Sequence, residues 1–226
     1  MKGSWQYFMF FRNFKYLFLE LKIIYIIIVA EIYNSISVRN FIRKFPVEIY
    51  LDNQCCKIAK SLKKIIKVQF IAVKANRMIL ASRLQKGGGL TDIYNKISKE
   101  KTVFLLTSNI FNFRSITNLK MQASKGKELD RNIGFIQRIN ELLNYISNPN
   151  LKDIHVLNDS CDPLIYISYM LCEKNPSYFH FYHHADHSFC FGAMDSNWNH
   201  IDLFPNQYQI CKKKLNPFFI SMMDFL

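Results

Sequence analysis

The chain has 226 residues, half of them hydrophobic and 15% aromatic. That is enough for one sizeable core, and it excludes an intrinsically disordered chain. The formal charge of +13 is uneven: residues 1–75 carry 13 Lys/Arg against 4 Asp/Glu, residues 76–226 carry 17 against 13. The excess sits in the first third and points to an anionic surface as its partner. No nucleic-acid-binding motif accompanies the lysines, so nucleic acid is not expected. Six cysteines (Cys55, Cys56, Cys161, Cys172, Cys190, Cys211) form no CxxC pair and no dense framework. With no cleavable signal segment in view, reduced thiols and a cytoplasmic location follow.

The first third opens with "YFMFFRNFKYLFLELKIIYIIIVAEIY". Arg12, Lys15, Glu20 and Lys22 interrupt every window long enough to span a bilayer, so a buried or interfacial helix is expected rather than a crossing one. Farther on, "CKIAKSLKKIIKVQFIAVK" places Ile58, Leu62 and Ile65 on one helical face. Lys57, Lys60, Lys64 and Lys67 fall on another, the pattern of a surface helix or of a basic amphipathic helix on anionic lipid. Residues 1–75 thus read as a helical, basic and apolar segment, with the inner membrane surface as a candidate peripheral location.

From Arg77 the pattern alternates. "RMILASRL" is a strand ending in a triple glycine, and "LTDIYNKISK" is a helix with Thr91 at its N-cap. "TVFLLTS" is a second strand, and Ile133, Ile136, Ile139, Leu142, Leu143 and Ile146 then recur at helical spacing. "DIHVLND" is a third strand, "DPLIYISYMLCEKN" a helix capped by Asp162 with Pro163 at its first position, and "SYFHFYHH" a fourth strand. "HIDLF" and "PNQYQICKK" add a strand and a helix. The apolar runs do not alternate, as expected when both faces of a sheet are covered. The fold class is therefore α/β: a Rossmann-like parallel sheet with helices on both faces, over residues 76–226.

Ligands bind such sheets at the carboxyl ends of the strands. Three polar clusters follow strand ends: Gly87, Gly88 and Gly89, then Asn158–Ser160 with Asp159, then His183, His184, Asp186 and His187. The glycines let backbone approach a phosphate or sugar, but they form neither GxGxxG nor a P-loop. The histidine cluster lacks HExxH and zinc-finger spacing, and a neutral imidazole beside Asp186 can donate, accept or shuttle a proton. Three readings stay open for it: a ligand site, a packed strand end, or a metal-dependent hydrolase using His183, Asp186 and His187. A membrane-associated interaction protein with no catalysis is the third class of function considered for the chain.

"GGGLTDIYNKI" after the first strand and "FYHHADHSFCFG" before a short strand resemble the N-terminal half of GT-B glycosyltransferases. The nearest are bacterial proteins of the family 1/4 type, with a "GGH" or "GGx" loop and a "HADHxFxLG" segment. His184–Ala185–Asp186–His187, Phe189 and Gly192 match that segment in order, with Phe191 where leucine is usual. The resemblance covers roughly residues 78–214. It implies an acceptor-side domain with Gly87–Gly89 near the sugar-phosphate; Asp159 and His183, at the neighbouring strand ends, are expected as further substrate contacts. It also implies that the histidine–aspartate segment lines the cleft; within it the match does not fix the roles, and His184 and His187, with Asp186 orienting one of them, are taken as the catalytic residues. The implied partners are a nucleotide-sugar and a glycan or lipid-linked acceptor, with no cofactor and no catalytic metal. Because the chain ends at Leu226, where the resemblance would place a donor-binding domain, activity is expected to need a separate C-terminal half.

Overall fold

The computed structural model describes residues 3–40, 45–82, 93–94, 96–97, 102–107, 125–130, 132–157, 162–183, 189–193, 195–202 and 220–221. Two helices lead: α1 (Gly3–Asn40) and α2 (Phe45–Leu62). They are followed by β1 (Arg77–Ala81), β2 (Thr102–Leu106), β3 (Lys125–Glu128), α3 (Phe135–Ile146) and β4 (Asp153–Leu157). Then come α4 (Pro163–Leu171), a 3-10 turn at Pro176–Tyr178, β5 (Phe179–His183), β6 (Asn199–Asp202) and β7 (Ile220–Ser221). The strands form one sheet in the order β3-β2-β1-β4-β5-β6-β7. Every pairing is parallel, with Arg77 opposite both Thr102 and Asp153. This is the Rossmann-like α/β architecture that the alternating elements imply.

Side chains alternate across a strand, so the sheet has two faces. Met78, Leu80, Leu105, Ile154, Val156, Phe179 and Phe181 point to one and join a single core with the helices. Leu19, Ile23, Ile26 and Ile27 of α1 and Leu51, Ile58 and Leu62 of α2 belong to that same core. The sequence leaves open whether the N-terminal helices pack on the sheet; they form part of its cover. Ile79, Ala81, Leu157 and Tyr182 on the second face are buried as well, as are the helical residues Ile93 and Tyr94.

Local chemistry explains the helix limits. Asp162 accepts a hydrogen bond from Leu164 N at 2.9 Å, and Pro163 takes the first helical position, where no donor is lost. The heptad-like apolar face of α3 is buried from Ile136 to Ile146, with Phe135 added to it and Ile133 left just outside the helix. The lysine-rich segment differs from expectation. Helix α2 stops at Leu62, so Ile65 lies beyond it, half-buried. The chain there turns and runs extended because α3 offers it partners: Asn144 Oδ1 accepts from Gln69 N at 2.8 Å and Asn144 O from Ile71 N at 3.2 Å. Strand β3 (KGKE) lies in what reads as a polar connection.

Helix α3 has no cap of its own, since Gly134 stands at its N-cap. Glu20 of α1 supplies it: Oε2 accepts from Phe135 N at 2.9 Å and Oε1 from Ile136 N at 2.8 Å. A side chain at 134 would put its Cβ within 2.6 Å of Glu20 Oε1, so the carboxylate would have to shift away from its capping position to admit one. The carboxylate thus satisfies two orphan donors and sits at the positive end of the helix dipole. Glu20→Ala should lower unfolding free energy by about 1 kcal/mol, with Glu20→Gln losing less. Urea titration of the two variants checks this.

Candidate functional site

From β1 the chain moves outward to β2 and β3, then returns to β4 on the other side of β1. The connection reverses direction between β1 and β4, which opens a crevice at their carboxyl ends. Four buried polar residues floor that edge: Ser82 after β1, Thr107 after β2, Asp162 after β4 and Arg138 from α3. Thr107 Oγ1 donates to Asp162 Oδ2, the Ser82 hydroxyl also hydrogen-bonds Asp162, and Thr107 N donates to Ala81 O at 3.0 Å. Arg138 Nη1 donates to Thr107 O at 3.3 Å and lends its charge to Asp162. Burial pushes the Asp162 carboxyl up, and the hydrogen bonds from Thr107, Leu164 and Ser82 offset only part of that rise. With its oxygens saturated by protein donors, Asp162 acts as a brace. It ties the ends of β1 and β2 to the start of α4, and so fixes the edge from which the loops leave.

The sequence-derived site residues divide as follows. Gly87, Gly88, Gly89, Asp159, His184, Asp186 and His187 lie outside the described residues, as does the side chain of His183. The backbone of His183 closes β5, paired with Asp202 of β6. Strands β1, β4 and β5 are consecutive neighbours. The chain therefore leaves the sheet at one edge from Ala81, Leu157 and His183, and it enters the three polar clusters from those adjacent exits.

Downstream of the histidine cluster, the turn at residues 189–193 is clamped by the N-terminal helices. Phe189 N donates to Asn34 Oδ1 at 3.2 Å, Gly192 N donates to Asp52 Oδ1 at 3.1 Å, and Trp198 Nε1 donates to Gly192 O at 2.9 Å. Gly192 has φ of 79°, and a Cβ there would run into the Trp198 ring, so only glycine fits. Burial drives the Asp52 carboxyl well above the carboxylate range, against the hydrogen bond from Gly192. Tyr166 OH donates to Asp195 Oδ2 at 3.2 Å, and His200 Nε2 donates to Asp195 O at 2.5 Å. Both ends of the segment bearing the HHADH cluster are thus fixed, by β5 on one side and this clamp on the other.

A polar ladder that sequence reasoning missed crosses the second face at the amino ends of the strands. Arg77 Nε and Nη2 each lie 2.5 Å from Asp153 Oδ2. The Nε2 atoms of His155 and His180 lie 3.0 and 3.2 Å from Asp153 Oδ1, with their rings stacked 5.1 Å apart. Since a carboxylate only accepts, His155 Nε2 carries the proton and Nδ1 accepts from Tyr182 OH at 2.9 Å. Burial alone would raise the Asp153 carboxyl, but hydrogen bonds from His155, His180 and Arg77 outweigh it and hold the group well below the carboxylate range. Burial depresses His155, which stays neutral. The signal was present as "DIH" and "HFY": polar residues two apart share a strand face.

Among the described residues no group of three or more His, Cys, Asp or Glu could hold a metal ion. A cleft of about 400 Å3 lies between the ends of α2, α3 and α4, lined by Lys63, Ile66, Phe70, Leu143, Pro149 and Leu171. It opens at the carboxyl ends of those helices, away from the crevice between β1 and β4.

Fold and edge together define a doubly wound α/β protein with a braced switch point. Comparison with protein-family models, with curated proteins and with solved structures finds no match.

Asp162→Ala removes the cap and leaves buried donors unpaired; it should cost about 2–4 kcal/mol, and Asp162→Asn clearly less. Urea midpoints measure both. Burial also lowers His200 to about 4. Because the folded value lies below the unfolded one (about 6.5), the unfolded state takes up the proton first as pH falls. His200 should therefore contribute full stability above about 6.5, losing on the order of 1.4 kcal/mol per unit down to its folded pKa. In His200→Gln that part of the stability–pH curve should flatten, as read by thermal unfolding across the window.

Proposed function

We propose that this chain is the acceptor-side, Rossmann-like half of a GT-B glycosyltransferase, acting between a nucleotide-sugar and a lipid- or polysaccharide-linked acceptor. The observation that carries the reading is the adjacency of the carboxyl ends of β1, β4 and β5 at a topological switch point. The chain runs from those three ends into a glycine loop, an Asn-Asp-Ser segment and the HHADH cluster. A sugar bearing a phosphate needs close backbone approach with N–H donors, for which Gly87–Gly89 are suited. Deprotonating an acceptor hydroxyl needs an imidazole that titrates near neutrality, for which His184 and His187 are suited, with Asp186 holding one tautomer. The brace at Asp162 and the clamp at Gly192 support this reading, because proton transfer demands side chains held at hydrogen-bond reach.

Isothermal titration of the chain with a panel of nucleotide-sugars, sugar phosphates and glycan acceptors tests the proposal. At least one class should bind, and Gly88→Val should weaken that binding roughly tenfold or more by closing off backbone approach. Where labelled-sugar transfer is detected, His187→Ala should slow it by about 10²–10⁴-fold with an unchanged thermal midpoint. Failure of every sugar ligand to bind folded protein, or full transfer by His187→Ala, overturns it.

A further inference from the structure

We propose that the outward face of α1 is a docking surface that lies in the headgroup region of an anionic phospholipid leaflet. Helix α1 is apolar on two opposite sides. One side, with Leu19, Ile23, Ile26 and Ala30, is buried in the core. The other carries Phe14, Phe18, Leu21, Tyr25, Ile32 and Ile36, each more than half exposed. With Ile28, 44% exposed, between Tyr25 and Ile32, these positions recur every three to four residues and form a stripe about 33 Å long at 1.5 Å per residue. An unbroken exposed apolar face of that length marks a contact surface.

Charge selects the occupant. All eight described lysines between residues 15 and 74 are exposed, and all four acids in residues 1–75 are half-buried or buried. Glu20 is consumed by the α3 cap, Glu48 by Tyr33 OH at 3.2 Å and Asp52 by Gly192. The layer therefore shows water an apolar stripe flanked by exposed lysines, while its acids are buried or, like Glu31 beside the stripe, only partly exposed. A second copy of the chain would bring lysines against lysines with no exposed acid on this layer to pair them. An anionic leaflet offers both the apolar boundary and the negative charge. Lys22 Nζ already folds over the Phe18 ring at 4.5 Å, with its stem along the stripe and its charge at the rim. Among the described residues no helix is long and apolar enough to cross a membrane, so α1 lies on the leaflet.

Geometry sets the orientation. Glu20 meets the start of α3, which follows the carboxyl end of β3, and Asn34 meets Phe189, beyond the carboxyl end of β5. Fourteen helical residues span roughly 21 Å, and the four strand spacings from β3 to β5 come to about 19 Å. Helix α1 thus crosses the strands beside their carboxyl edge, so docking brings the switch-point crevice next to the lipid surface. The proposal stands on α1 alone and does not depend on sugar transfer.

Flotation of the full chain with phosphatidylcholine vesicles, with and without phosphatidylglycerol, tests it. The protein should float with anionic vesicles and not with neutral ones, and added salt should weaken binding. Leu21→Glu/Ile28→Glu, at two exposed positions, should lower the partition roughly tenfold or more. Lys57→Glu/Lys60→Glu should reduce both binding and its salt dependence. If the first double variant unfolds, Tyr25→Trp reports instead, with an emission shift to the blue and quenching by brominated lipid on anionic vesicles. No flotation, equal flotation on neutral vesicles, an unshifted emission from the introduced tryptophan, or a solution dimer that Leu21→Glu/Ile28→Glu dissociates would each overturn the proposal. No sugar ligand enters these measurements, so their failure is separate from failure of the sugar-transfer reading.

Discussion

A parallel sheet must be covered on both faces, and most of this molecule follows from that constraint. The strand interiors are consequently near-continuous apolar runs such as Met78–Ala81 and Ile154–Leu157, all buried. Helix α4 packs between α2 and α3 on one face and is buried at every position but Met170. Among the described residues α3 and α4 cover that face from the connections between strands, and α1 and α2 add to the cover from one end of the chain. A helix recruited as outermost cover buries only one side. Its other side is free to carry a second property, and on α1 that side is apolar.

Three acidic side chains tie the layers together by one physical device. Glu20, Asp52 and Asp162 each accept from backbone N–H groups that regular secondary structure leaves unpaired. Glu20 reaches across 115 residues of sequence to α3, and Asp52 reaches across 140 to the Gly192 turn. An apolar contact could hold these elements near one another, but a directed hydrogen bond to a single N–H fixes their register. All three acids bond segments at the carboxyl edge of the sheet: the start of α3, the start of α4 and the turn after β5. The opposite edge has its own lock in the Arg77–Asp153–His155–His180 ladder, which joins β1, β4 and β5 side by side.

Local rules made much of this legible. The β-rich runs at residues 102–106 and 153–157, the 3.6-residue period of α3 and the Asp162–Pro163 start of α4 all act within a few residues, and each reads correctly. Strand β3 does not, because KGKE has neither β-formers nor alternation, and it is a strand only because β2 offers it a ladder. The true end of α2 depends on Asn144, which lies 75 residues beyond the Gln69 it holds. The adjacency of the carboxyl ends of β1, β4 and β5 followed from topology and needed no side-chain detail. The brace among Ser82, Thr107, Arg138 and Asp162 was invisible for the opposite reason: its members are scattered between residues 82 and 162 and none forms a motif. Asp162 read as a cap, which it is, and only its second oxygen shows what else it holds.

The two polar ends of the sheet differ in a way that bears on where chemistry belongs. In the ladder, every named group is committed: Asp153 to three cations or imidazole donors, His155 to Asp153 and Tyr182, and Arg77 to Asp153 and Ile97 O. Burial pushes Tyr182 far above the ordinary phenol range, so it stays protonated as His155's donor. A relay whose ends are both saturated moves no proton to a ligand, and this one sits at the amino edge, where parallel sheets do not bind them. The carboxyl edge inverts the arrangement. Its saturated groups lie beneath the strand ends, and the chain continues past them toward the glycine, Asn-Asp-Ser and histidine segments, which lie outside the described residues. A rigid, committed polar floor beneath the strand ends is the kind of support that a preorganised site requires. That support, together with the reversal of connections between β1 and β4, is what makes the edge beside which α1 lies the candidate site.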